Sequence, residues 1–404
     1  MNPTENKEIR QVALLIAFAT GLQLAENSFP QPLPGLKLGL ANMITLLALV
    51  KLGFRTALEI ALLRTLIASL VWGTFLSSGF LLSFVGALAS TLVMGLLYRL
   101  AAPAGLSLVG ISVAGAVAHC LAQIALVFLL LIRHPGVFVL LPWLIIGAVA
   151  TGWITGLVTA QVCRKLHAAP DPAGYRNQVF GAFGERALPV RFFGRAASPK
   201  PPQQTLAPLI KIIVVLVLAV VILLAKNLWS FATLFAFLVA LTSLAGVPAR
   251  RLLRTFRGLI PLLLFSFIIP CCFIHTGAPL FHMGPVIITR DAFIASGVSA
   301  SRILLLMLSA ASLITPAPGE LVAGLRACLS PLKYCGVRTE RTAAIIAYSL
   351  SALPIVWEQS RRTIKAQNLR SKGIREWLPA LAVVMATLYS TTLASGADAK
   401  GRLP

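Results

Sequence analysis

Charged residues, and acidic ones above all, are scarce in this chain of 404 residues. Charged side chains make up 12% of it against 58% hydrophobic residues, and the mean hydropathy is +0.88. These proportions exclude an ordinary soluble domain and indicate a polytopic membrane protein. Because one membrane span needs about 20 apolar residues, the length allows about ten spans.

The chain also lacks the motifs of two enzyme classes. It has no glycine-rich phosphate loop and only three aspartates, Asp171, Asp291 and Asp398. Metal-assisted binding of a diphosphate uses clustered aspartates, so neither prenyl transfer nor ATP hydrolysis by this chain is supported. The six cysteines form no Cys-x-x-Cys pair, which favours buried thiols over a metal site or disulfides. We predict a chain that is not an enzyme and binds no cofactor or metal itself.

The excess of cations follows the pattern of loops in a membrane protein. The formal net charge is +23, and most basic residues of the first half fall on one side of six candidate spans. This asymmetry predicts a multi-pass plasma-membrane protein with cytoplasmic N- and C-termini, and it argues against nucleic acid as a partner. The six spans are Gln11–Ala25, Leu38–Leu52, Ala57–Trp72, Phe80–Leu100, Leu108–Ile132 and Phe138–Val162.

Changes of composition divide the chain into four predicted regions. Residues 166–205 are basic and proline-rich, which predicts a cytoplasmic linker between two membrane domains. We predict an all-α protein with a six-helix substrate-binding bundle over 1–165, the linker, a transmembrane part over 206–316 and a helical cytoplasmic or interfacial arm over 317–404. The later spans are Leu206–Ala225, Leu228–Ala245, Gly258–Ile274 and Ala292–Ile314.

The arm alternates basic residues with apolar runs, and it contains Leu329-Ser330-Pro331-Leu332 and Leu353-Pro354. On these residues it resembles the coupling arm of the transmembrane T component of energy-coupling factor (ECF) vitamin transporters. That family ends two coupling helices with Ala-Arg-Gly, and the matching tripeptides here carry lysine instead, which keeps the charge but lacks the planar fork of donors. The resemblance implies that this chain contacts two ATPase subunits, which bind ATP and Mg²⁺, through Arg370, Ser371, Lys372, Gly373, Ala399, Lys400 and Gly401. By itself, each basic residue before a glycine is also typical of a helix C-terminus.

The first half resembles a different family, the Gx transporters or heptaprenyl diphosphate synthase component I. The residues that carry this resemblance are Pro34 to Asn42, Leu62-Leu63-Arg64, Gly110-Ile111-Ser112 and Ala118-His119 with Gln123. The family looks like six-span substrate-binding S components of ECF transporters. A fusion of an S half with a T half is a coherent functional pair.

Several polar groups lie in or beside the apolar spans of the first half. Ionisable groups at membrane depth are costly, and they usually face a cavity or a partner helix. His119 and Gln123 are one helical turn apart and share a face. We predict a substrate pocket in which Arg64 meets an anionic or carbonyl group. The alternative is that the same side chains only link helices to one another. The predicted pocket residues are Glu26, Asn42, Arg64, His119 and Gln123.

Small residues recur every fourth position in the first span, at Ala13, Ala17, Gly21 and Ala25. On a helix they form a seam that permits close contact with another helix. The resemblance to S components implies that this seam meets the T half, and packing inside the six-helix bundle is the alternative.

We hypothesise a membrane subunit of an ATP-driven ECF importer that captures a small, vitamin-like substrate. Two other classes are considered. One is a non-catalytic accessory subunit for polyprenyl diphosphate synthesis, and the other is a secondary transporter, in which the long arm would have no purpose.

Overall fold

A computed structural model describes residues 3–27, 39–100, 105–168, 206–225, 227–244, 249–283, 286–311 and 339–366. These residues are almost entirely helical, and the prediction of an all-α polytopic membrane protein is confirmed. The helices are α1 (Pro3–Asn27), α2 (Leu40–Leu52), α3 (Phe54–Trp72), α4 (Ser78–Leu100), α5 (Leu108–Leu126), α6 (Leu141–Ala168), α7 (Leu206–Leu224), α8 (Leu228–Leu244), α9 (Ala249–Phe273), α10 (Arg290–Ala311) and α11 (Thr339–Ala366).

The first six helices form a bundle, and α2 and α3 are joined by a single residue. Gly53, the single residue between α2 and α3, has a φ of 90°, a conformation that side chains rarely allow. Ser107 caps the start of α5, because its hydroxyl accepts a hydrogen bond from the backbone N–H of Gly110 at 3.2 Å. α5 continues into a π-helical turn, Val127–Ile132, and a 3₁₀ turn, Pro135–Leu140, leads into α6.

One element of the second half was not predicted. The strands β1 (Pro279–Met283) and β2 (Val286–Thr289) pair as an antiparallel hairpin between α9 and α10. The signal was present, because a β-branched run follows Gly284-Pro285, a turn dipeptide. The hairpin is short, so its individual strands are easily missed beside long apolar helices.

Not every predicted span is long and apolar enough to cross a membrane alone. Five segments of the described chain meet that condition, namely Glu8–Glu26, Ser78–Leu100, Leu108–Ile132, Pro135–Lys165 and Arg290–Ala311. Four further apolar helical segments lie at Leu40–Leu52, Ile210–Leu224, Trp229–Leu244 and Leu259–Phe273, and the last three are parts of α7, α8 and α9. α3 belongs to neither group because it carries three charged side chains, at Arg55, Glu59 and Arg64. It is nevertheless held in the bundle by buried residues such as Ile60 and Ile67.

The described residues form two hydrophobic cores, and each core contains residues from both halves of the chain. The first joins α1, α2 and α3 to α11, as shown by Phe18 and Ile345 in one cluster. The second joins α4, α5 and α6 to α7 through α10, with Leu131 and Leu306 in one cluster. The apolar surface of each half is therefore buried partly against the other half.

Candidate functional site

A cavity lies inside the bundle of the first half, and side chains from all six of its helices line it. Four of the five predicted pocket residues are among them, namely Glu26, Asn42, Arg64 and His119. The volume is about 50 Å³, which is room for a few water molecules. A vitamin-sized molecule would require the lining helices to move apart.

Arg64 of α3 is the central cation of this cavity and is only 4% exposed. Its Nη1 donates to Oε1 of Gln23 in α1 at 3.2 Å, and its Nη2 donates to Oδ1 of Asn42 in α2 at 2.5 Å. Its Nε–H has no hydrogen-bond partner within the part of the chain that the structure describes. One buried guanidinium thus links three helices and retains a donor for a further group.

Glu26, near the end of α1, supplies the opposite charge. It is 4% exposed, and its Oε1 accepts a hydrogen bond from the backbone N–H of Gly39, the residue before α2. Burial of a cation and an anion in one cavity keeps its formal charge near zero, which lowers the cost of burying either. Sequence reasoning missed Gln23, although it lies three residues before Glu26 and so shares its helix face.

Of the two residues His119 and Gln123, the cavity lining includes only His119. His119 lines the cavity, and Gly86 of α4 provides the space for its ring: a Cβ at Gly86 would lie 2.6 Å from His119 Cε1. Gln123 was predicted to line the same pocket, but its Nε2 donates to the carbonyl of Leu82 at 3.2 Å, outside the cavity lining. Gln123, one turn further along α5, therefore links α5 to α4.

Small residues bring α5 and α6 close together where these two helices line the cavity. A Cβ at Gly152 would lie 2.8 Å from the Cα of Val113, so only glycine allows this approach. Ser112 and Thr155 form a hydrogen bond of 2.9 Å across the same contact. Both residues line the cavity, although the sequence did not indicate them as pocket residues.

α1 packs along α11, so the seam of small residues can be located. The Oγ of Ser349 donates to the carbonyl of Ala13 at 3.0 Å. A Cβ at Gly21 would lie 3.8 Å from Trp357 and 4.0 Å from Leu353. Ala17 lies between them on the helix and is fully buried. The structure thus brings this face of α1 against a helix of the second half.

A charged cluster flanks the same contact. Arg341, near the start of α11, lies 3.3 Å from Glu8 of α1 and 3.7 Å from Glu59 of α3. Both acids belong to the first half, so the cation joins the halves through charge. The predicted ATPase-coupling residues lie outside the described residues, at Arg370, Ser371, Lys372, Gly373, Ala399, Lys400 and Gly401.

Comparison with known proteins assigns the two halves separately. Residues 15–162 match the family model of heptaprenyl diphosphate synthase component I, and residues 199–399 match that of the cobalt transport protein. The energy-coupling factor transporter transmembrane protein EcfT of Exiguobacterium sibiricum is 30% identical over 183 residues, which are 42% of this chain and 69% of that relative. The chain belongs to the family of ECF transporter transmembrane proteins. It is a membrane subunit of an ECF-type transporter. The first half of the chain matches a different family model.

Two further relatives are also energy-coupling factor transporter transmembrane proteins named EcfT. The protein of Bacillus subtilis is 24% identical over 190 residues, 46% of this chain and 72% of that relative. The protein of Acidaminococcus fermentans is 31% identical over 166 residues, 41% of this chain and 62% of that relative. The matched region thus spans about two thirds of each relative.

Proposed function

We propose that this ECF subunit captures a small molecule in the cavity of its first half and couples its transport to separate ATPase subunits through its second half. One observation carries the proposal. The helix that contributes Gln23 and Glu26 to the cavity is the same helix that packs along α11. A movement of α11 would therefore act directly on two groups beside Arg64.

The charges of the cavity favour a substrate without net charge. Arg64 and Glu26 balance one another, and an added diphosphate would bring uncompensated negative charge into a buried site. Hydrogen bonds from Arg64, Asn42 and neighbouring hydroxyls suit an uncharged polar head. Ala116, Ala148 and Met94 suit an apolar body.

The ATPase partners are proposed from the ECF family itself, in which this subunit works with ATP-binding subunits. The chain has no phosphate loop, so ATP and Mg²⁺ would be bound by those partners. We propose that Lys372 and Lys400, outside the described residues, contact two such subunits, and that the termini are cytoplasmic. The accessory role in polyprenyl diphosphate synthesis is not favoured, because the second half of the chain matches ECF transporter transmembrane proteins.

The proposal is tested by separating capture from coupling. The small molecule that copurifies with the full chain is identified, and its affinity is measured for Arg64→Ala beside Arg55→Ala, an exposed arginine on the same helix. Loss of a hydrogen bond to a charged group predicts a roughly 10- to 150-fold weaker affinity for the first variant only. Equal affinity of both variants for the molecule would rule out capture at this cavity.

Coupling is tested in the same full chain. Lys372→Glu with Lys400→Glu is expected to abolish uptake and copurification of the ATPase subunits while leaving substrate affinity unchanged. Lys372→Arg, which restores the residue of the ECF family, should retain both activities. If the double charge reversal leaves uptake and ATPase association intact, the arm is not the coupling element.

A further inference from the structure

The far end of α5 has an unusual backbone. Its last turn, Val127–Ile132, is π-helical, and Arg133 ends it with a φ of 54°. A left-handed conformation is uncommon for residues other than glycine, and π-helical turns are frequent at functional sites. The wide turn and its end leave carbonyl groups that need partners from elsewhere.

Those partners come from α10 in the other half. The Nη1 of Arg302 donates to the carbonyl of Leu131 at 3.3 Å, and the Oγ of Ser299 donates to the carbonyl of Ile132 at 3.3 Å. Arg302 is 5% exposed and lies within an apolar span. The two side chains are three residues apart, so they project from one face of α10.

The exchange is reciprocal. The Nη2 of Arg302 also donates to the carbonyl of Ala225 at 3.1 Å, just after α7. From the first half, the Nη2 of Arg133 donates to the carbonyl of Leu223 at 2.6 Å, in the last turn of α7. Each half thus places an arginine on the carbonyl end of a helix from the other half. Helix C-termini carry partial negative charge, so they suit both cations.

Burial of the Arg302 charge costs free energy, so this contact differs from ordinary apolar packing between helices. A buried cation in a membrane span is costly unless polar or aromatic groups surround it. Arg302 donates to two carbonyls from two helices, and the ring of Phe231 lies 5.9 Å from its guanidinium. Its Nε–H has no hydrogen-bond partner among the described residues. Loss of either helix end would leave the guanidinium with only one of its two carbonyl partners.

We propose that Arg302 and Arg133 form an interaction site between the halves, which holds the end of α5 against α7 and α10. α5 also lines the cavity with Ser112 and His119. The site therefore connects the second half to a helix that lines the cavity, and this connection is separate from the α1–α11 contact. Its role in transport depends on the proposed function, whereas its role in holding the halves together does not.

The test measures association directly. A protease site is inserted between residues 168 and 206 of a chain with an N-terminal affinity tag, the purified chain is cleaved in detergent, and release of the C-terminal piece is followed over time. Every protein carries Arg341→Met, so that the α1–α11 contact is weakened equally throughout. Arg302→Met is compared with Arg290→Met, which removes an exposed arginine from the same helix.

We expect Arg302→Met to release the piece at least about ten-fold faster, as truncation within a buried charge contact raises dissociation rates. Arg302→Lys should be intermediate, since lysine keeps the charge without the fork that serves two carbonyls. Release of the Arg302→Met piece at the rate of Arg290→Met would overturn the proposal. If Arg302→Met aggregates, the exposed Arg133 decides through Arg133→Met: faster release supports the site, and an unchanged rate overturns it.

Discussion

The hydroxyl of Ser349 in α11 donates a hydrogen bond to the backbone carbonyl of Ala13 in α1, with 3.0 Å between the oxygens. The same hydroxyl lies 2.7 Å from the carbonyl of Ile345, one turn earlier on α11. Such an approach to a backbone carbonyl is possible only where the side chains between two helices are small. The two halves of the chain, which match different families, therefore meet here in a close helix–helix contact.

Replacement of Gly21 by a large residue should disrupt this contact. An added Cβ would meet Trp357 and Leu353 only at ordinary contact distance, so Gly21→Ala should be tolerated. Gly21→Leu must force the helices apart, at a cost of about 1–3 kcal/mol. We expect the leucine variant to lose uptake while its purified protein still binds substrate. Normal uptake by the leucine variant would contradict coupling through α1.

The position of His119 can be tested without altering the histidine. A Cβ at Gly86 would lie within 2.8 Å of three ring atoms of His119, so Gly86→Ala must displace the ring. Loss of one neutral hydrogen bond predicts a roughly 2- to 12-fold weaker substrate affinity. Gly79→Ala on the same helix is the control, because its nearest added contact is 3.8 Å from Ser77. Equal affinities of the two variants would exclude His119 from binding.

The charges beside the α1–α11 contact should be exchangeable. Arg341→Glu would face two carboxylates at Glu8 and Glu59, and it should lower the thermal unfolding temperature of the purified chain. Adding Glu59→Arg should recover part of this loss, with a coupling of about 0.5–1 kcal/mol because the groups are partly exposed. Additive effects of the two substitutions would mean that the residues do not interact.

The predicted topology can be checked by labelling of introduced cysteines in intact cells. Pro172→Cys and Ser198→Cys should be shielded from an impermeant thiol reagent, and a site between α9 and β1 should react. Thr276 is the better choice there, because Gly277 has a φ of 94° and its Cβ would lie 2.7 Å from the carboxylate of Asp291. Native cysteines are first replaced, and a permeant reagent serves as the control. External labelling at position 198 would overturn the assigned topology.

The sequence by itself determined the helices, because apolar runs and the residues that end them are local. The predicted spans Leu108–Ile132 and Leu206–Ala225 differ from the described helical segments by at most one residue. It also indicated Arg64 and Glu26 as candidates, since charges are conspicuous in apolar helices. The resemblance of each half to its family was likewise carried by short stretches of residues.

Only the tertiary structure decided which groups meet. The amide of Gln23 became a partner of Arg64, and Gln123 turned to Leu82, because helix rotation and tilt depend on packing across the whole bundle. Sequence reasoning assigned no transport role to Arg302, and only the folded chain identifies its partners, which are backbone carbonyls. Every residue has a carbonyl, so no side-chain pattern marks the few that a π-turn and a helix end make available in space.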